Sequence, residues 1–314
     1  NQLMLGNSSD ALVEARAADE LIKKMKIYYE KEGNIGTLYT QDAFILWLIG
    51  TLYEMDNEPN DAYLAYKDAL TVMKKDYAGF YGTKPPAFLA EDVVRAALKT
   101  GFNDEAELLK QENQVSGQTF ELLKENGEVI LILGVGESPF KTDFFITTAM
   151  TDGYVMKIAI PQFNENPNRI AYAEILGANQ QNNRSELFEP INAIALQNYK
   201  HRLKKVTALA ITRATTKYLA SKGAQGIAKQ AGGETMGAII GLAANVASYA
   251  TEEADKRSWL TLPHQFQVAR IILPEGKHQL KVNFMGSGGY QLSSQNVTVD
   301  VKKGKKTFVS LRSF

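Results

Sequence analysis

Gly127-Glu-Val-Ile-Leu-Ile-Leu-Gly134 is where the chain changes its hydrophobic period. Residues 129–133 form an unbroken run of branched and long apolar side chains. With a glycine at each end, the run reads as a short strand buried on both faces. Everything before it carries helical spacing, and everything after it mixes strands with helices. The expected class is α+β, in three domains: a helical domain over 1–126, central strands with a long helical pair over 127–262, and a small β-module over 263–314.

Upstream, Leu12, Val13, Ala17, Leu21, Met25 and Tyr28 recur at helical spacing over residues 8–31. Ser8, Ser9 or Asp10 can cap this helix, and Gly33 and Gly36 end it. Asp42 opens a second helix over 43–53, and Asn57-Glu-Pro59 breaks it. A third runs from Asp61 to Lys75. Leu46, Ile49, Gly50, Tyr53, Ala62, Tyr66 and Ala69 then follow a large, small, aromatic alternation. This hairpin resembles a tetratricopeptide repeat. Gly50 and Ala62 let two helices approach, and Tyr53 and Tyr66 fill the remaining space. Lys74 stands where the repeat's closing proline belongs. A weaker second unit covers 87–123, with Val94, Ala97 and Ala106 in corresponding places. The connector Tyr77 to Pro86 reads as turn-rich.

Downstream, Gly134 to Pro139 reads as a loop. Val155–Ile160 reads as a strand stopped by Pro161, and Ile170–Leu176 as a third strand. Residues 185–230 read as one long helix, capped by Ser185 with Pro190 in its first turns, and 234–257 as another. Leu280, Val282 and Phe284, then Val297, Val299 and Val301, alternate with polar residues. Gly276 and Gly304 are expected in hairpin turns. The succession Pro274-Glu-Gly-Lys-His278, Gly288-Gly-Tyr290, Val297–Val301 and Gly304-Lys305 resembles the small β-sandwich modules called PEGA-like domains, which are structural or adhesive.

Composition narrows the function. The 314 residues are 45% hydrophobic and 22% charged, which excludes global disorder. The 35 Lys+Arg balance the 35 Asp+Glu, so no basic field for nucleic acid exists. The balance conceals a division: residues 1–126 carry 21 acids and 13 bases, and residues 127–314 carry 14 and 22. That division implies separate modules or a basic surface facing an acidic partner. The absence of cysteine excludes thiol catalysis, thiolate-bound zinc, iron–sulfur clusters and disulfides. His201, His264 and His278 share no metal-ligand spacing. Gly134-Val-Gly136 lacks the remainder of either phosphate-binding glycine motif, and no nucleophile elbow occurs. Glu252-Glu253 reads as solvated charge. No cofactor and no metal are expected, and the enzyme reading is disfavoured.

Two segments stand out as interaction elements. Residues 187–230 carry eight Lys/Arg against Glu189 alone, and Lys200, Arg202, Lys204 and Lys205 cluster at the start. They suit an anionic partner, such as lipid headgroups, a polyanion or an acidic protein, or form an ordinary solvated face. Gly233, Gly237 and Gly241 repeat every four residues in a segment without charge from Met236 to Thr251. Such a ladder lets a helix pack closely against the preceding one, against a neighbouring subunit, or inside a membrane. The uncharged run is short for a membrane span.

The order of parts, with Lys157-Ile-Ala-Ile-Pro161, Arg257-Ser-Trp-Leu-Thr-Leu-Pro263, Arg270 and Leu273-Pro-Glu-Gly276, resembles a poorly characterised family of bacterial envelope lipoproteins. Members carry a lipidated cysteine at the mature N-terminus, and some are encoded near lipoproteins implicated in activating peptidoglycan synthases. This chain lacks that cysteine. With one just before Asn1, Asn1-Gln2 would suit sorting to the outer membrane. The resemblance implies a non-enzymatic periplasmic scaffold, associated with the outer membrane and part of a multi-protein envelope assembly such as a motility or secretion machine. The alternative is a regulator of peptidoglycan synthesis acting on a synthase or the glycan polymer. Partners are expected to be several other envelope proteins, with a second copy and peptidoglycan open, membrane contact through a lipid anchor, and no nucleic acid. Trp47 and Tyr63, with Tyr53 and Tyr66, are expected to line a partner groove on the repeats.

Overall fold

A computed structural model describes residues 2–31, 41–177 and 182–314. It is a mixed helix and sheet structure, the expected α+β class. The helix end expected at Gly33 and Gly36 lies outside the described residues. The chain separates into two compact units. The first comprises Asn1–Ser138, Asn166–Gln197 and Thr261–Phe314; the second comprises Pro139–Glu165 and Asn198–Leu260. These are not the contiguous domains 1–126, 127–262 and 263–314. Strands distant in sequence share sheets, so the expected borders cut through the sheets.

In the first unit, α1 (Ser8–Lys31), α2 (Ala43–Met55), α3 (Pro59–Val72), α4 (Ala87–Thr100), α5 (Asn103–Asn113) and α6 (Thr119–Glu125) form a helical layer. Asp42 caps α2 by accepting from the Ile45 N–H at 2.9 Å. Pro59 opens α3, where its missing donor costs nothing. A Cβ on Gly50 would stand 2.6 Å from the Tyr66 ring, so only glycine permits this α2–α3 approach. Beyond α3 the chain does not turn at once. It continues as a π-helical segment, Met73–Tyr81, because Met73 and Tyr77 are drawn into the core.

Two four-stranded sheets complete the unit. One has the order β10 (Lys306–Ser313), β1 (Gly127–Val135), β7 (Gln265–Leu273), β6 (Glu186–Glu189). The other has the order β5 (Asn182–Arg184), β4 (Ile170–Leu176), β8 (Gly276–Gly286), β9 (Gln291–Val301). β1 pairs parallel with β10 and antiparallel with β7. Every residue of β1 is buried, as its apolar run demands. Val129, Leu131, Leu133 and Val135 face the second sheet, while Ile130 and Ile132 join the core of the helices. β1 is thus the middle of three layers. The C-terminal module is not self-contained, since β7 and β10 belong to one sheet and β8 and β9 to the other. Gly276 and Gly304 lie where the chain crosses between sheets, and of the connections joining β7, β8, β9 and β10 the β8–β9 one is a hairpin. Ser185 does not cap a helix. It is buried, donates to Gln267 at 2.6 Å and accepts from the Ala173 N–H at 2.7 Å, and β6 intervenes before the long helix.

The second unit is built from β2 (Phe140–Ala149), β3 (Val155–Asn164) and most of α7 (Ile191–Ala250). β2 and β3 pair antiparallel in unbroken register. β3 runs through Pro161 rather than stopping there, because that position points to the outer edge, where no ladder donor is needed. α7 breaks at Gly233, whose φ of 77° and ψ of −176° belong almost exclusively to glycine. Its arms, 198–232 and 234–250, lie against one another.

Candidate interaction surfaces

The four aromatics expected on a groove belong to the packed helical layer. Trp47, Tyr63 and Tyr66 are buried, as is Tyr53. Trp47 donates its indole N–H to Asp92 at 2.9 Å and meets Phe188 edge-on, ring centres 5.2 Å apart. Phe44, Phe88 and Phe266 complete this cluster. Tyr66 donates to Glu54 at 3.0 Å, and Tyr63 stacks edge-on with Phe102. Trp47 and Tyr63 are corrected from partner contacts to core residues. The signal was present: α2 carries no charge before Glu54, and a helix apolar all round is covered on both sides.

Sequence reasoning did not find the buried charge set beneath the helices. Glu54 on α2, Asp92 and Arg95 on α4, Glu128 on β1, Arg270 on β7 and Lys306 on β10 are all buried or nearly so. Arg95 clasps Glu54 through two bonds of 2.8 Å and reaches Asp92 at 2.6 Å. Arg270 reaches Asp92 at 2.5 Å and Glu128 at 2.6 Å. Lys306 bridges Glu128 at 2.5 Å and Glu54 at 3.1 Å. Burial alone would raise the Glu54 and Glu128 carboxyls. Arg95 and Lys306 for the first, and Arg270 and Lys306 for the second, outweigh it and hold both below the usual range. Three carboxylates thus face three cations, with Lys99 at the rim on Glu54. Clefts of about 300 Å³ and 420 Å³ are both lined in part by Glu128 and by residues of α6. The first is lined by Lys99, Lys305, Lys306, Phe120 and Leu123. Every acid in this set is committed to a cation, so the arrangement joins layers rather than supplying a free acid or base.

In the second unit the basic stretch divides. Arg213 and Lys217 bind Glu252 at 3.1 and 2.6 Å, Lys222 binds Asp152, and Lys229 binds Glu234 at 2.7 Å. Glu252 is therefore a buried, paired carboxylate and not solvated charge. Lys200, Arg202, Lys204 and Lys205 are exposed. Burial, and then Arg202 and Arg257, lower the ammonium of nearby Lys141 against the pull of Asp255. The glycine ladder has two roles. Gly233 makes the bend. Gly237 and Gly241 allow contact with the first arm: a Cβ would lie 3.1 Å from Lys229 on Gly237 and 3.0 Å from Gln225 on Gly241.

The buried and half-buried stripes of the arms consist of small or polar residues: Ala210, Ala214, Ser221 and Ala228 on the first, where Ala210 and Ala214 pack against Ile158 and Ile160 of β3, and Gly237, Gly241, Asn245 and Ser248 on the second. The large apolar side chains point outward: Leu209, Ile211, Leu219 and Ile227 on one arm, and Met236, Ile239, Leu242 and Val246 on the other. Among the described residues no helix is long and apolar enough to cross a membrane, and no group of three or more His, Asp or Glu is placed to hold a metal ion. No family model matches the chain, and no curated protein or solved structure is detectably similar to it.

Proposed function

We propose that this chain is a non-enzymatic scaffold of the bacterial cell envelope, periplasmic, tethered to the outer membrane by a lipid anchor, and a structural part of a multi-protein assembly. The observation that carries the reading is the reversed polarity of the second unit. Its helices bury alanine, glycine and serine and expose leucine, isoleucine and methionine. Leu209, Ile211, Leu219, Ile227, Met236, Ile239, Leu242 and Val246 are exposed along the two arms, and a surface that gathers large apolar side chains suits association. The resemblance to envelope lipoproteins supports the compartment. The exposed Lys200, Arg202, Lys204 and Lys205 support an anionic face on one partner.

The test is crosslinking in intact cells, followed by purification of the tagged protein from the envelope and mass spectrometry of what accompanies it. A set of envelope proteins at fixed stoichiometry, crosslinked to residues 200–260, is expected. Recovery with a synthase alone, at low yield, would replace the scaffold with the peptidoglycan regulator. A protein found without partners outside the envelope would overturn both.

A further inference from the structure

The two edges of the β2–β3 hairpin are treated in opposite ways. The turn bond from the Met150 N–H to the Tyr154 carbonyl, at 2.8 Å, sets the alternation of the ladder. Even-numbered residues of each strand bond the other strand, and odd-numbered residues point to the outer edges. On β3 three of the outward carbonyls are covered. The Val155 carbonyl accepts from the Asn245 amide at 2.9 Å, the Ala159 carbonyl from Arg213 at 3.4 Å, and the Pro161 carbonyl from the Tyr199 hydroxyl. Pro161 has no donor to leave open. On β2, by contrast, Phe145, Thr147 and Ala149 turn their backbone groups outward with no partner among the described residues.

From Phe144 to Ala149 the strand itself carries none of the usual protection, and the nearest charge is Lys157 of β3, whose ammonium lies 3.9 Å from the centre of the Phe145 ring. Soluble proteins blunt a free strand with a charge, a proline or a bulge. Phe144-Phe-Ile-Thr-Thr-Ala149 has none of these, and its register with β3 is regular throughout. Phe144, Phe145 and Ile146 are 51%, 44% and 43% exposed. The charged start of the strand is occupied: Lys141 donates to the Arg257 carbonyl, and Asp143 accepts from Ala254 and Lys256. The available template is therefore the uncharged stretch alone.

We propose that two copies of this chain associate through β2, pairing antiparallel about a two-fold axis into a continuous four-stranded sheet β3-β2-β2-β3. The covered carbonyls of β3 select the symmetry. A head-to-tail ring or fibre would need β2 of one copy to pair with β3 of the next, and the side chains of Asn245, Arg213 and Tyr199 occupy that edge. Only the self-complementary contact remains, and it closes as a dimer. The ladder also limits the register, because outward residues must face outward residues. With the charges left out, the axis falls at Ile146 or at Thr147. In the first case Ile146 opposes Ile146 of the second copy; in the second, Phe145 opposes Ala149 of the second copy. Both bring Phe144 and Ile146 of the two copies together on one face. This inference does not depend on the envelope reading.

Residues 1–314 contain no cysteine, so single cysteines placed in them report position without background. Sedimentation should show a concentration-dependent monomer–dimer equilibrium. Mild oxidation of single-cysteine variants at 143–149 should give a disulfide-linked dimer most strongly at Ile146→Cys or Thr147→Cys, falling off on both sides. Thr147→Pro removes an outward donor that β3 does not use, and should weaken dimerisation at least tenfold with an unchanged circular dichroism spectrum. Phe145→Lys, which keeps every backbone group, should do the same. A protein that stays monomeric at its solubility limit overturns the proposal, as does a dimer indifferent to both variants. Crosslinking without a maximum, or assembly beyond the dimer, overturns the two-fold pairing. A monomer that binds phosphatidylcholine vesicles through the same residues would put lipid in place of the second copy.

Discussion

Replacing Glu128 by glutamine tests what holds the three layers of the first unit together. Glu128, Glu54 and Asp92 balance Arg95, Arg270 and Lys306, and all six side chains are at most 9% exposed. The substitution is nearly isosteric but leaves three buried cations facing two carboxylates. Removing one partner from a buried ionic set costs about 3–5 kcal/mol, mostly through the charge left uncompensated. For a unit of this size that is a fall of roughly 10 °C in melting temperature. Trp47 reports the event directly, since its indole N–H bonds Asp92 within the set. Trp259 is the only other tryptophan and lies in the second unit, so Trp259→Phe leaves Trp47 as the sole probe. Urea is the suitable denaturant because it does not screen charge.

The pH dependence has a definite sign. The cations hold the Glu128 carboxyl lower in the folded chain than in the unfolded one. Its contribution is therefore complete above the unfolded value of about 4.3 and is lost as pH falls toward the folded value. The gap between the wild type and Glu128→Gln should be constant from pH 7 to pH 5 and should close in acid. Glu128→Met with Arg270→Met should recover much of the single-variant loss, because both members of a pair leave together. A Glu128→Gln variant within about 1 kcal/mol of the wild type at pH 7, or a gap that widens in acid, would refute the argument.

Three further outcomes are expected. Glu189 is buried, accepts from Tyr77 at 2.8 Å, and has its carboxyl raised well above the usual range by burial and then by Asp42. Its favourable contribution is present at low pH and lost as pH rises, so Glu189→Gln should gain stability over the wild type progressively above pH 5 in melting curves. Gly50→Ala should cost about 1–3 kcal/mol in urea titrations, because the new methyl meets a Tyr66 ring fixed by its bonds to Thr51 and Glu54. Gly233→Ala should cost about 1–3 kcal/mol from its backbone alone, as no atom lies within 4 Å of the added methyl, and should expose the arms of α7 to limited proteolysis.

Local elements were legible where one physical cause dominated. The glycine-bounded run at 129–133 is a buried strand, Asp42 starts α2, and the alternation at 170–176 and 280–284 is that of strands. Assembly was not legible, because it joins distant segments. Arg270 and Glu128 are 142 residues apart in sequence, and nothing local to either shows that they meet. The parallel pairing of β1 with β10 is hidden for the same reason. β2 escaped notice because Lys141, Asp143 and paired threonines dilute its apolar content, and its exposed faces impose no strict alternation. Ser185 misled because a serine before a helix is an N-cap by habit, whereas here it bonds the interior of a sandwich.

The two units solve opposite packing problems, and this bears on how they unfold. The first buries its tryptophan, its phenylalanine cluster and a balanced ionic set. The second buries Ile158, Ile160, Ala210 and Ala214, with Met156 packed against them, and leaves its larger apolar side chains outside. So small a core supplies little of the burial that offsets chain entropy. The second unit should therefore melt first, and anything that covers its outer surface should stabilise it by mass action. Scanning calorimetry at increasing protein concentration separates the alternatives. A low-temperature transition that moves upward with concentration, while the transition seen by Trp47 stays fixed, ties the stability of the second unit to association through its surface. A single transition independent of concentration would mean that the small core suffices by itself.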